Sequence, residues 1–364
     1  MPDLDGGGAQ RTVVNLANRL SKGRHCVSLA AVRTDGPARA WLDSDVELID
    51  LDVGRIRRAV GPLRRTIAAT RPEILFSTIL DANIAATLAT RGLQQCPALI
   101  LRETNSIRAR NDIGWLRRKL VSWAYPRAST VVALSQGVER ELASDYQLPA
   151  SRLRTIWNPV DLNGVRRRAG EGLAGYQPFK GTTLVAAGRL HHQKGFDILI
   201  RALFCLKARQ DFRLVILGAG SEEAALRHLA SDLDVSDRVR FAGFVDNPYP
   251  WIAAADIFVL PSRWEGFGHV LVEAMALGTS VIASDCPYGP ADIVTDGVDG
   301  RLVANESPEL LAEAIVSLAD NPDQREQFAA AATAKAERFD IARIAEEYTA
   351  LFDTMSDPAK RMRM

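Results

Sequence analysis

The sequence predicts an α/β protein of two domains, each a doubly wound parallel sheet, facing across a cleft. Three observations predict it. The chain has 364 residues, more than one hydrophobic core ordinarily organises. Apolar runs of strand length alternate with longer amphipathic runs along the whole chain, the order that builds parallel sheets with helical crossovers. Glycine-rich turns stand where strands pass into helices, where such sheets bind ligands.

The elements follow in order. Three glycines, Gly6 to Gly8, run into an amphipathic helix over Thr12–Leu20, with Val13, Leu16, Ala17 and Leu20 on one face. A glycine turn opening a helix normally follows a strand, and only five residues precede this one. The expectation is that a first strand is missing, through a late start codon or a truncation. Strands are expected at Cys26–Val32 and Val46–Leu51, then a basic segment, Arg55–Arg71. Ile74–Ile79 reads as a strand, Ala82–Arg91 as a helix and Ala98–Leu101 as a strand. Ile107–Tyr125 reads as a helix and Thr130–Leu134 as a strand, with Ser135 capping the next helix. This first domain is set at 1–160. Arg154–Pro159 leads into a polar, glycine-rich linker, 161–181.

The second domain, 182–340, repeats the alternation. Strands are expected at Thr183–Ala187, Arg213–Leu217, Val239–Phe241, Ile257–Leu260, Ser280–Ala283 and Gly300–Val303. Helices are expected at Gly195–Arg209, Glu222–Leu233, His269–Leu277, Pro308–Asp320 and Pro322–Phe339. A last helix, Ile341–Met355, is expected to pack back on the first domain and to end in a basic tail, Ser356–Met364.

Composition narrows the class. With 47% hydrophobic and 24% charged residues the chain reads as globular. No apolar run reaches about 18 residues, the least a spanning helix needs, and the acidic, glycine-rich start is unlike a signal peptide. Cys26, Cys96, Cys205 and Cys286 are scattered without ligand spacing, which favours a reducing, cytoplasmic setting. The five histidines give no metal site: His191 and His192 are adjacent and the others single. Net charge is only +1, yet 23 Lys and Arg against 16 Asp and Glu fall in residues 1–165. That basic half fits an anionic contact or simply solvated, arginine-rich helix faces. Arg108, Arg110, Arg117, Arg118 and Lys119 stand among Ile113, Trp115, Leu116 and Trp123. Such a mixture suits either a helix seated on an anionic membrane or one that only packs on the core.

The chemistry gathers in Pro261–Gly278, PSRWEGFGHVLVEAMALG. Glu265 is placed in a strand-to-helix turn, and Glu273 about two turns up the helix. The helix start between them, after the flexible Gly266-Phe267-Gly268 step, offers free N–H groups to an anion. Upstream, Arg189 and Lys194 bracket another turn before a helix, where two cations can neutralise a departing diphosphate. Gly218-Ala-Gly220 follows a strand but lacks the third glycine of a dinucleotide fingerprint, Glu223 standing there.

Six stretches carry a resemblance: GGGAQR (6–11), WNPVD (157–161), AAGRLHHQKGFDILIRA (186–202), LVILGAGSEE (214–223), FAGFVDNPYPWIAAADIFVLPSRWEGFGHVLVEAMALG (241–278) and SDCPYGPADIVTDGVDGRLV (284–303). Together they resemble the GT-B glycosyltransferases, two Rossmann-like domains across a cleft, and among them the retaining family four of bacterial polysaccharide and glycolipid enzymes. The resemblance implies transfer of a sugar from a nucleotide-sugar donor, UDP-linked, to an acceptor hydroxyl on a glycan or lipid-linked acceptor. It implies no metal or other cofactor and no nucleic acid, and it fits peripheral contact with the inner face of the plasma membrane. Arg189 and Lys194 then bind the donor diphosphate and Glu265 the donor sugar, as the catalytic groups. Glu273 binds the ribose, and Gly266, Phe267, Gly268, Gly218, Gly220, Phe244 and Val245 complete the donor pocket. Gly7 and Gly8 belong to the loop that meets phosphate or acceptor. Many family members carry a His near Leu101–Ser106; here the stretch reads LRETNS, leaving Arg102 and Asn105 as acceptor-side candidates. Two other readings stay open: a truncated or inactive nucleotide-binding protein, and a nucleotide-sugar epimerase on the same architecture.

Overall fold

Among the described residues every strand pair is parallel, as expected where helices carry the chain from the end of one strand to the start of the next. The structure is a computed structural model describing residues 1–5, 8–108, 113–172 and 179–356. The chain divides into two units, Met1–Pro159 with Ile341–Met364, and Val160–Asp340.

The first unit runs α1 (Gly8–Ser21), β1 (Ser28–Ala31), β2 (Glu47–Asp50), α2 (Val60–Thr70), β3 (Ile74–Thr78) and α3 (Leu80–Thr90). It continues β4 (Ala98–Glu103), α4 (Trp115–Ala124), β5 (Thr130–Ala133), α5 (Gln136–Asp145) and β6 (Leu153–Thr155). β4 and β5 are buried throughout, continuous apolar runs of the kind a strand covered on both faces requires. The strands form two sheets, β1-β2 and β3-β4-β5-β6.

The second unit runs α6 (Leu162–Ala169), β7 (Thr182–Ala187), α7 (Phe196–Cys205), β8 (Phe212–Leu217), α8 (Glu223–Asp232), β9 (Val239–Gly243), α9 (Tyr249–Ala253), β10 (Ile257–Leu260) and α10 (His269–Ala276). It ends β11 (Ser280–Asp285), α11 (Pro290–Ile293), β12 (Arg301–Ala304), α12 (Pro308–Ala319) and α13 (Pro322–Ala336). Its six strands form one sheet in the order β12-β11-β10-β7-β8-β9. One core joins α7, α8, α12 and the sheet through Leu199, Leu203, Phe212 and Ile315. The last helix, α14 (Ile341–Ser356), belongs to the first unit, where Tyr348 and Phe352 pack with Leu16, Leu20 and Phe76.

Two expectations need correction. The linker opens with a helix, α6, whose cap explains why it was missed. Asp161 Oδ1 accepts from Gly164 N at 2.9 Å, and a Cβ on Gly164 would lie 2.2 Å from that carboxylate. The glycine that reads as linker is what the cap demands. The helix expected over Ile107–Tyr125 begins only at Trp115, and Arg108 instead pairs with Asp145 at 2.5 Å. Within the basic segment 55–71, Val60–Thr70 form α2.

Candidate functional site

In the second unit the chain leaves β7 through β8 and β9, then returns to lay β10 on the other side of β7. Parallel sheets bind ligands beyond the carboxyl ends of strands at such a reversal. The turn after β7 carries Gly188, Arg189 and Lys194; the turn after β10 carries Glu265, Gly266, Phe267 and Gly268. The structure therefore brings together residues more than 70 positions apart that the sequence reading assigned to one ligand.

The two turns are fastened to each other. Arg263 makes a two-pronged ion pair with Asp197, at 2.7 and 2.8 Å, and another with Glu306 at 2.6 Å. Its guanidinium also donates to the His192 carbonyl, while its backbone N–H donates to the Gln193 carbonyl. Burial would raise the Asp197 carboxyl, but the hydrogen bonds and charge of Arg263 outweigh it and hold the group below its ordinary range. Gly195 lies in the left-handed region at φ 64, and a Cβ there would stand 2.1 Å from the Pro261 carbonyl oxygen. Only glycine lets the turns approach this closely.

Between these fasteners lies the central pair. Lys194 Nζ donates to Glu265 Oε1 at 2.5 Å, and Ser262 Oγ donates to the same oxygen at 2.7 Å. The side chains are 17% and 7% exposed, so the charge-assisted bond is only partly screened by water. Arg189 is exposed and makes no side-chain hydrogen bond or ion pair among the described residues. One predicted cation is thus matched and the other is open to an incoming anion. Cys286 is buried close to this pair, and burial first, then the Glu265 charge, push its thiol up to about 12. It remains a thiol at neutral pH.

Glu273 of α10 faces the start of α9, where Tyr249 Oη donates to its Oε1 at 3.2 Å. Arg168 of α6 lies over the Tyr249 ring, 5.4 Å from its centre, and pairs with Asp246 at 3.0 Å. The loop held this way presents Phe244, which is 80% exposed, next to half-buried Val245. Gly218 and Gly220 serve a packing purpose: a Cβ on Gly218 would meet the Gly188 oxygen at 1.9 Å, and one on Gly220 the Leu190 oxygen at 2.3 Å. They let the loop after β8 lie directly on the loop after β7. Phe267 also needs correction, because its ring is buried against Phe339 and His269 and cannot face a ligand. Sequence reasoning missed Ser262, Arg263 and Tyr249; the first two stand within three positions of Glu265, and that spacing was the available signal.

The acceptor-side candidates fare differently. Arg102 is 1% exposed, bonded to Thr78 Oγ1 at 3.1 Å and to the Asn158 carboxamide. It holds the ends of strands together and does not face an acceptor. Its neighbour Glu103 takes the N–H groups of Thr104 and Asn105 and the Tyr125 hydroxyl, whose pKa burial raises well above its ordinary value. Asn105 is half-buried beyond them. Gly7 lies outside the described residues, and Gly8 begins α1. Among the described residues there is no cluster of three or more His, Cys, Asp or Glu that could hold a metal ion, and no helix is long and apolar enough to cross a membrane.

Comparison with known proteins matches both halves. Residues 6–163 match the model described as Glycosyltransferase Family 4, and residues 177–335 the model described as Glycosyl transferases group 1. The chain is 28% identical over 228 residues to the N-acetylgalactosamine-N,N'-diacetylbacillosaminyl-diphospho-undecaprenol 4-alpha-N-acetylgalactosaminyltransferase of Campylobacter jejuni, covering 63% of this chain and 61% of that protein. The match thus spans less than two thirds of that relative. An uncharacterized glycosyltransferase of Haemophilus influenzae is 24% identical over 348 residues, covering 94% of this chain and 95% of that one. HepE of Anabaena, solved in complex with UDP, superposes with a TM-score of 0.81 at 22% identity, covering 96% of this chain and 98% of that one. At that identity the likeness shows the fold.

Proposed function

Since the chain belongs to the GT-B glycosyltransferases of family four, we propose that it moves a sugar from a UDP-linked donor to an acceptor hydroxyl in making a cell-surface glycolipid or polysaccharide. The observation that carries the reading is the Lys194–Glu265 pair at the β7/β10 reversal, with Arg189 in the same turn as Lys194 and without a side-chain partner among the described residues. Support for the nucleotide comes from the UDP complex of the Anabaena protein. Support for a lipid-linked acceptor comes from the diphospho-undecaprenol substrate named for the Campylobacter relative.

The residues assign the roles. A diphosphate reaching Arg189 and the start of α10 competes for the Lys194 ammonium and releases Glu265 to hold a sugar hydroxyl. As the bond from the anomeric carbon to the diphosphate breaks, its electron pair stays on the diphosphate, where Arg189 and Lys194 neutralise the growing charge. The acceptor oxygen bonds the same face and passes its proton to the departing diphosphate, so configuration is retained. Glu273 holds the ribose, and Phe244 lies against the base. The charge is met by side chains, with no resident metal in the scheme. Exposed Trp115 and Leu116 on α4, beside Arg117 and Lys119, give a surface for peripheral contact with anionic lipid.

A thermal-shift and calorimetric screen across UDP-, GDP- and ADP-sugars tests the donor. UDP-sugars are expected to stabilise the protein and Glu273→Ala to weaken them at least about tenfold, one ribose hydrogen bond to a charged group. A screen in which no nucleotide sugar shifts the melting temperature overturns the reading. Flotation with vesicles, with and without anionic lipid, tests the surface: equal recovery in both rules out charge-dependent docking.

A further inference from the structure

The loop that leaves β9 in the second unit is tied down on both sides of Phe244 and Val245. On the near side Gly243 lies in the left-handed region at φ 73, and its carbonyl accepts from the Gly218 N–H at 2.7 Å. On the far side Arg168 Nη2 donates to the Asp246 carbonyl at 2.9 Å. The exposed Phe244 ring therefore stands on a short span held at both ends.

The far tie belongs to α6, the first helix of the second unit. Besides the carbonyl, Arg168 meets the Asp246 carboxylate at 3.0 Å and lies over the Tyr249 ring. The Asp246 side chain is 93% exposed, so that ion pair contributes little. Asn247 completes the tie from the loop side. Its Nδ2 donates to the Arg168 carbonyl at 2.8 Å and to Glu171 Oε2 at 2.7 Å, and its Oδ1 accepts from the Tyr249 N–H at 3.3 Å. The Arg168 carbonyl stands in the last turn of α6, where helix carbonyls take donors from outside the helix. Buried Tyr249, seated in this way, donates its hydroxyl to Glu273.

We propose that α6 is the scaffold of the nucleoside half of the donor site, with Arg168 and Asn247 as positioning residues that set Phe244 for the base and Glu273 for the ribose. The inference rests on the donor reading above and deepens it. An aromatic ring on an untied loop has to be ordered as the base arrives, and that ordering is subtracted from affinity. With α6 in place the ordering is complete before the nucleotide binds. The diphosphate half has a fastening of its own, because Arg263 ties the turn that carries Lys194 to the turn that carries Glu265. Cutting the α6 tie should therefore weaken recognition of the nucleoside and spare recognition of the diphosphate.

Calorimetric titration with UMP, UDP and inorganic diphosphate tests the division. Arg168→Met is expected to weaken UMP and UDP about tenfold, as loss of a charge-assisted bond requires, and to leave inorganic diphosphate within about twofold of wild type. Asn247→Ala cuts the same tie from the loop side and is the second variant, with the same split expected. With the UDP-sugar that the donor screen selects, the donor KM of Arg168→Met should rise about tenfold while kcat falls less than about threefold. UMP bound equally by wild type and both variants overturns this inference alone. So does an equal loss of UMP and diphosphate, which would mean that the whole unit had loosened, or a fall in kcat as large as the rise in KM. A wild-type chain that binds neither UMP nor UDP overturns the donor reading and this inference with it.

Discussion

Both units place a cation and a carboxylate at the carboxyl ends of their central strands, yet they use them in opposite ways. In the first unit Arg102 and Glu103 are each 1% exposed and bonded to Thr78, Asn158, Tyr125 and nearby backbone N–H groups. In the second, Lys194 and Glu265 hold each other at the edge of water, with Arg189 open beside them. A charged pair at a strand end marks chemistry only where a competing ligand can displace one partner at small cost. Buried and bonded to neighbouring side chains, the same residue types act as fasteners, because removing either partner strands the other in a low-dielectric interior.

The largest effect that tests this contrast is on turnover. Lys194→Met and Glu265→Gln are each expected to lower kcat about 10²–10³-fold, roughly 3–4 kcal/mol of transition-state stabilisation, while donor affinity changes less than about tenfold. The double variant should lose little more than the worse single one, because the two groups act as a unit. Additive losses in single-turnover assays would break the picture of a coupled pair.

Next in size is a stability effect in the first unit. Arg102→Met leaves Asn158 and Thr78 without their buried partner, a loss of about 1–3 kcal/mol read as a lower urea midpoint at unchanged slope. Below its melting temperature the variant should keep kcat. Arg189→Met should do the reverse, leaving the urea midpoint in place and lowering kcat/KM at least about tenfold, as loss of an open cation aimed at the leaving group requires. A stable Arg102→Met with impaired turnover would return Arg102 to the acceptor side.

How far the sequence led follows the same division. Strand positions and the parallel class were legible because buried parallel strands write themselves as short, unbroken apolar runs such as Ile257–Leu260 and Thr130–Ala133. That Arg189, Lys194 and Glu265 fall in turns at strand ends was legible because glycines mark the passage from a strand to a helix. Arg102 misled because position at a strand end does not report burial; Thr78 and Asn158, which bury it, come from distant parts of the chain. Gly218 and Gly220 show another limit: ligand approach and loop-on-loop packing both demand a residue without a side chain, and the sequence does not distinguish them.

The smallest effect concerns what keeps the second unit's two turns together, and it is read as a change of sign with pH. The Asp197 carboxyl lies below its ordinary 3.8 because Arg263 overcomes the cost of burial. A lowered folded-state pKa contributes stability that is complete above 3.8 and is lost as pH falls through the folded value. In Arg263→Met the carboxyl keeps its burial and loses its partner, so its pKa moves above 3.8. The unfolded chain then holds fewer protons than the folded one, and this group's contribution to stability decreases as pH rises past 3.8. The wild-type advantage over Arg263→Met should therefore widen from pH 3 to pH 6 in urea titrations, about half a unit at a time. Adding Asp197→Asn to the variant should flatten that part of the difference. A gap that stays constant with pH would mean that the turns are held by the Gly195–Pro261 backbone approach and the Glu306 contact, with Asp197 a bystander.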